Sequence, residues 1–259
     1  MHLLLTIFTA CTDKINDDDT NAIQNPPLEL EELFVIPERP FDMTWDTDGS
    51  MLISADASGK LYRWDGSILE EQVGSYHDIQ AVYVYSDLLY YTTTDNGVTG
   101  ALHNDTSPLS TQSSDGTLFR WPVDITHTPD GSVLIADYNA GIIFSYLENG
   151  STQLFGAGSQ TPLSILFQDD SLYIGGEDGV WQKEWPDGIP SKIDDRSANG
   201  LAVFNEQLYA SNSTDGVFIV GGESYHLPEN FGRPSTLLIK ENMLYVIDQV
   251  GRGVWQTDL

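Results

Sequence analysis

Two stretches decide the fold: RPFDMTWDTDGSMLISAD at residues 39–56 and RWPVDITHTPDGSVLIAD at residues 120–137. With Pro122 laid over Pro40, eight positions coincide: Pro, Asp, Thr, Asp, Gly, Ser, Leu and Ile. Each phrase reads as a short strand, a tight turn at Asp48-Gly49 or Asp130-Gly131, and a second strand with a small or acidic end. Fixed-period self-similarity marks a repeat architecture. Weaker copies follow as DIQAVYVYSDLLYYTTT from Asp78, PLSILFQDDSLYIGG from Pro162, ANGLAVFNEQLYASN from Ala198 and PSTLLIKENMLYVID from Pro234.

Taking the proline slot as an anchor gives Pro40, Asp78, Pro122, Pro162, Ala198 and Pro234, spaced by 38, 44, 40, 36 and 36 residues. A third apolar strand follows each pair, as in GKLYRWDG, AGIIFSY, DGVWQKEW, DGVFIV and RGVWQTDL. A weaker fourth strand precedes the next anchor. Four antiparallel strands per ~40 residues are one propeller blade, so the expected fold is all-β with six blades. The last repeat, Pro234 to Leu259, has room for three strands. The segment at 28–37, LELEELFVIP, is expected to supply the fourth and close the ring. Recurring Trp64, Trp181 and Trp255 read as inter-blade packing.

Composition narrows the partners. Eleven basic and 39 acidic residues give a net charge of −28. That surface disfavours nucleic acid and anionic lipid, both of which need Lys and Arg. The one cysteine, Cys11, excludes an internal disulfide. Its setting, MHLLLTIFTAC, resembles the end of a bacterial lipoprotein signal. Three segments are therefore expected: a signal with an anchor cysteine at 1–11, a disordered acidic tether at 12–27, and the propeller at 28–259. The expectation is an exported monomer in the bacterial cell envelope, touching the membrane only through the lipid on Cys11.

The first strand of a blade lines the channel, so each anchor-relative position forms a ring. Three residues after the anchor the ring reads Met43, Ala81, Ile125, Ile165, Leu201 and Leu237, an apolar packing layer. Two after it the ring reads Asp42, Gln80, Asp124, Ser164, Gly200 and Thr236, which alternation turns to the channel. Five after it, His127 sits among Trp45, Tyr83, Phe167, Val203 and Ile239, the setting of a hydrogen-bonded core histidine. Arg39 and Arg233 stand one residue before an anchor, Arg120 and Arg196 two before, and His77 one before Asp78. Four of the six arginines thus converge on one end of the channel. Two readings are open. The arginines pair with Asp42, Asp78, Asp124 and strand-end carbonyls as staples. Or, with Trp121 beside them, they form a funnel for a small anion or a partner segment.

The blades RPFDMTWDTDGSMLISADASGKLYRWDG and RWPVDITHTPDGSVLIADYNAGIIF resemble those of the gluconolactonase (SMP-30-like) and NHL-repeat propellers. That resemblance implies a second function, a lactonase or esterase with one calcium or other divalent ion in the channel, held by Glu, Asn and Asp. Glu38 and Asn199 match the family's Glu and Asn positions. The family's Asp directly follows a proline, whereas here Val123 intervenes, leaving Asp124 or Asp42 to substitute. The binding module is the leading expectation and the metal-dependent hydrolase the alternative. No nucleophile elbow or zinc-protease helix motif is present.

Overall fold

The structure is a computed structural model that describes residues 29–259 except 56–58, 73–77, 96–98, 105–106, 148–151 and 226. Cys11, the tether and His77 lie outside the described residues. The described residues form 24 strands in six four-stranded antiparallel sheets, each meandering outward from the channel. The first strands are Pro40–Trp45, Ile79–Tyr85, Pro122–His127, Pro162–Gln168, Gly200–Phe204 and Pro234–Lys240. The ring closes as the repeat count requires: Glu31–Val35 pairs antiparallel with the last strand, Gly253–Asp258, and completes blade 6.

Apolar faces of neighbouring blades bury one another. Met43, Ile125, Ile165, Leu201 and Leu237 are all at most 6% exposed, each within a hydrophobic cluster. Burying one such side chain stabilises by about 1.5–3 kcal/mol. The anticipated packing layer is therefore real, with one correction in blade 2. There Ile79 pairs with Thr93 and Val82 with Tyr91, which puts Val82, not Ala81, level with Met43 and Ile125. The blade-2 anchor is Ile79. Asp78, which has φ of 48°, belongs to the connection before it. Gln80 moves up one ring, Ala81 takes its place beside Asp42, and Val84 rather than Tyr83 is level with His127.

In five blades the pairing of first and second strands slips by one residue just after the anchor, as between Pro40 and Asp42 or Pro122 and Asp124. A bulge of this kind re-aims side chains. Two consecutive residues now face the channel, so Val123 and Asp124 both line it. Buried hydroxyls stitch the bulged backbone to the neighbouring blade. Ser54 donates to the Gln80 carbonyl at 2.6 Å, and Thr92 to the Pro122 carbonyl at 2.9 Å. Each such bond contributes about 1 kcal/mol net. Blades 5 and 6 approach so closely that a Cβ on Gly200 would stand 2.0 Å from the Ser235 carbonyl oxygen, so that ring position must be glycine.

Candidate functional site

At the anchor end of the channel lies a cavity of about 380 Å3. Its lower wall comes from the ring directly after the anchors: Phe41, Val123, Leu163, Asn199 and Ser235. Its upper wall comes from the ring before them: Arg39, Trp121, Ser197 and Arg233. Tyr138, Glu177, Ser213 and Gln249, each just past a second strand, form the outer edge. Asp124 and Thr236 reach its floor.

Side chains that sequence reasoning did not single out hold the upper wall in place. Asp137 and Asp248, both fully buried, end the second strands of blades 3 and 6. Asp137 accepts the backbone N–H groups of Arg120, Trp121 and Ala140 at 2.6–3.0 Å. Asp248 accepts those of Gly232, Arg233, Val250 and Gly251 at 2.7–3.0 Å. Asn212 does similar work in blade 5, donating to the Ser197 carbonyl at 2.9 Å. These bonds fix the backbone from which Trp121, Arg233 and Ser197 project. The sequence signal was the acidic end of IAD and VID.

The two repeated aspartates meet neighbouring blades, not arginines. Asp42 is 5% exposed. It accepts the Val82 N–H at 2.9 Å from blade 2 and the Thr236 hydroxyl at 2.9 Å from blade 6. Asp124 accepts the N–H of Ile165 in blade 4 and of Ile125, both at 2.7 Å. Burial pushes the Asp42 carboxyl up to about 6, against the opposing pull of the Val82, Thr236 and Met43 hydrogen bonds. Burial, followed by the charge of Asp42, pushes Asp124 well above the usual carboxylate range, against the Ile165, Ile125 and Ser164 bonds. Below them Tyr83 carries a hydroxyl that burial raises to about 12. Its oxygen lies 2.5 Å from Nδ1 of His127, so His127 is hydrogen-bonded as expected.

The arginines separate into two groups. Arg39 and Arg233 are exposed and line the cavity, and Arg39 Nη2 donates to Gln249 Oε1 at 2.9 Å. Arg196 does not line it. Its guanidinium grips Asp194 at 2.6 Å, donates to the Ile219 carbonyl at 2.9 Å and lies 4.0 Å over the Phe218 ring. Arg120 is exposed and also absent from the lining. The staple reading thus describes Arg196, with Asp194 as partner, and the funnel geometry is confined to Arg39 and Arg233.

The metal set implied by the resemblance was tested against the same geometry. Asn199 and Asp124 line the cavity, but Glu38 does not. Glu38 Oε1 pairs with Lys60 Nζ at 2.9 Å. Both Asp42 oxygens accept hydrogen bonds, as do both of Asp124. Among the described residues no three His, Cys, Asp or Glu side chains cluster to hold a metal ion. Of the implied ligand set only Asn199 and Asp124 face the cavity, and two such donors beside two guanidinium groups do not suit calcium, which takes six to eight oxygen ligands.

Solved structures share this architecture. A gluconolactonase from Xanthomonas campestris superposes with a TM-score of 0.73 at 16% identity, covering 93% of this chain and 93% of that one. The fold is the one gluconolactonases use. A putative gluconolactonase gives 0.72 at 16% identity, covering 89% and 92%. Virginiamycin B lyase from Staphylococcus aureus gives 0.66 at 12% identity, covering 90% and 99%. No protein-family model and no curated protein matches the chain. At these identities the gluconolactonase-like likeness is one of fold.

Proposed function

We propose that the chain hydrolyses a small lactone or ester in this cavity, with Arg39, Arg233 and Asp124 in place of a metal. The observation that carries the reading is the joint placement of two guanidinium groups and a carboxyl of raised pKa around one small cavity. Gluconolactonases and a lyase among the structural neighbours favour a reaction over partner docking. The arginines would stabilise the oxyanion that forms when water adds to the acyl carbon. Asp124 as carboxylate takes the proton from that water and returns it to the alkoxide as the acyl C–O bond breaks. The product is a hydroxy acid whose carboxylate faces the same arginines.

A second reading, retention of a small anion without turnover, is favoured by the two backbone amides already on Asp124. Assays on γ- and δ-lactones decide between them. Hydrolysis is expected, and excess EDTA should not reduce it. Arg233→Met is expected to lower kcat/KM by about 100-fold or more with Tm unchanged, because Arg233 is exposed and forms no ion pair among the described residues. Hydrolysis lost in EDTA and restored by calcium would overturn the arginine mechanism. Anion binding without hydrolysis would leave the second reading.

A further inference from the structure

The cavity is charged differently on its two sides. Around a six-blade ring, blade 4 faces blade 1 and blade 3 faces blade 6. Arg39 and Arg233 belong to blades 1 and 6. Opposite them stand Glu177 of blade 4 and Trp121 and Tyr138 of blade 3. The Tyr138 hydroxyl donates to Glu177 Oε1 at 2.7 Å. Its ring meets Trp121 edge to face, with centroids 5.4 Å apart and planes at 73°. Trp121 is itself pinned, because its indole N–H donates to Gln80 Oε1 at 3.1 Å. Phe41, which also lines the cavity, packs against the same hydrophobic cluster as both rings.

A carboxylate flanked by rigid aromatic rings is what an ammonium group requires. The carboxylate supplies charge and an acceptor, and the neighbouring rings supply cation–π attraction. Two guanidinium groups across the cavity supply the complement for a carboxylate. Arg233 and Tyr138 line the same small cavity. One small molecule can therefore touch both sides of a 380 Å3 space. In a protein of net charge −28, one wall of paired arginines facing one acidic, aromatic wall sorts ligands by the position of their charges.

We propose that the substrate of this site is an amino-substituted lactone or ester, its ammonium held by Glu177 beside the Trp121–Tyr138 pair and its acyl group directed at Arg39 and Arg233. The reaction rests on the hydrolytic reading above, whereas the ammonium subsite rests on the cavity alone. Hydrolysis of such a lactone consumes one water and yields a zwitterion, with the new carboxylate on the arginine side and the amine unmoved.

Two matched pairs of probes test this, at a pH where the amine is protonated. α-Amino-γ-butyrolactone and γ-butyrolactone differ only in the amine, as do their products homoserine and 4-hydroxybutyrate. Wild-type kcat/KM is expected to favour the amino lactone at least ~10-fold, as one charge-assisted contact would. Glu177→Gln should cut that preference at least ~10-fold, to what the electron-withdrawing α-ammonium gives the lactone by itself. Equal turnover by the wild type, or a preference undiminished in Glu177→Gln, overturns the ammonium subsite. If neither lactone is hydrolysed, the hydrolytic reading falls, and calorimetric binding of the products decides the subsite by itself. Homoserine bound more tightly than 4-hydroxybutyrate, with the difference lost in Glu177→Gln, upholds it. Equal or absent binding overturns it.

Discussion

Blades 1 and 3 carry the same phrase and the same aspartate, yet Asp42 and Asp124 end in different situations. Each accepts a backbone N–H from the blade that follows, Val82 or Ile165. The difference comes from the blade before. Blade 6 offers Thr236, whose hydroxyl caps Asp42 at 2.9 Å. Blade 2 offers Ala81, which has no hydroxyl to give. Asp42 is thereby sealed, and Asp124 is left on the cavity floor. In a ring of repeats, a residue's role is set as much by its neighbour's sequence as by its own.

The largest test of this contrast uses pH. The Asp42 carboxyl is raised from 3.8 to about 6 in the folded protein. A raised folded value means the protonated form is favoured on folding. Its stabilising contribution is complete below about pH 4 and is lost as pH rises through about 6. The shift corresponds to roughly 3 kcal/mol, divided between two interacting carboxyls. In Asp42→Asn the Asn carbonyl can accept from Val82 and the amide can donate to Thr236. The wild type minus Asp42→Asn difference in unfolding free energy should fall across this range. A flat difference would refute a strained Asp42. Asp124→Asn is next in size. Both carboxyl oxygens face N–H donors, so an Asn amide must oppose one of them. Urea denaturation should show a loss of about 1–3 kcal/mol at neutral pH, where Asp42→Asn loses none. Equal behaviour of the two variants would dissolve the comparison. Thr236→Val is the smallest, costing about 1 kcal/mol and moving the Asp42 titration upward by NMR. An unmoved titration would mean that the hydroxyl does not seal the site.

The ring architecture was legible because it rests on periodicity, which the chain writes six times. Pro40, Pro122, Pro162 and Pro234 marked the channel strands to the residue. Blade 2 was read one residue early because it has no proline, and Asp78 lies in a left-handed conformation outside the strand. The bulge after five of the anchors was not legible. Strict alternation turns Asp124 to the channel and Val123 away from it, but the extra residue brings both to the cavity together. The arginine reach was equally hidden. Arg196 and Arg233 hold nearly the same repeat position, but Asp194 lies within 2.6 Å of the first, and no local pattern announces that contact. Asp137 and Asp248 were visible as acidic strand ends, although what they hold became clear only once the backbone N–H groups were counted around them.

Closure of the ring has a consequence for how the molecule is made. Among the described strands Glu31–Val35 leaves the ribosome first, and its partner Gly253–Asp258 follows all the others. Blades 1 to 5 are each continuous in the chain and can form as they emerge, whereas blade 6 must wait for both ends to meet. Arg233, Ser235, Thr236 and Gln249 all belong to that last blade. The cavity therefore comes into being only at the final joining, and a nascent chain five blades long already owns Asp124 but has nothing yet to do with it.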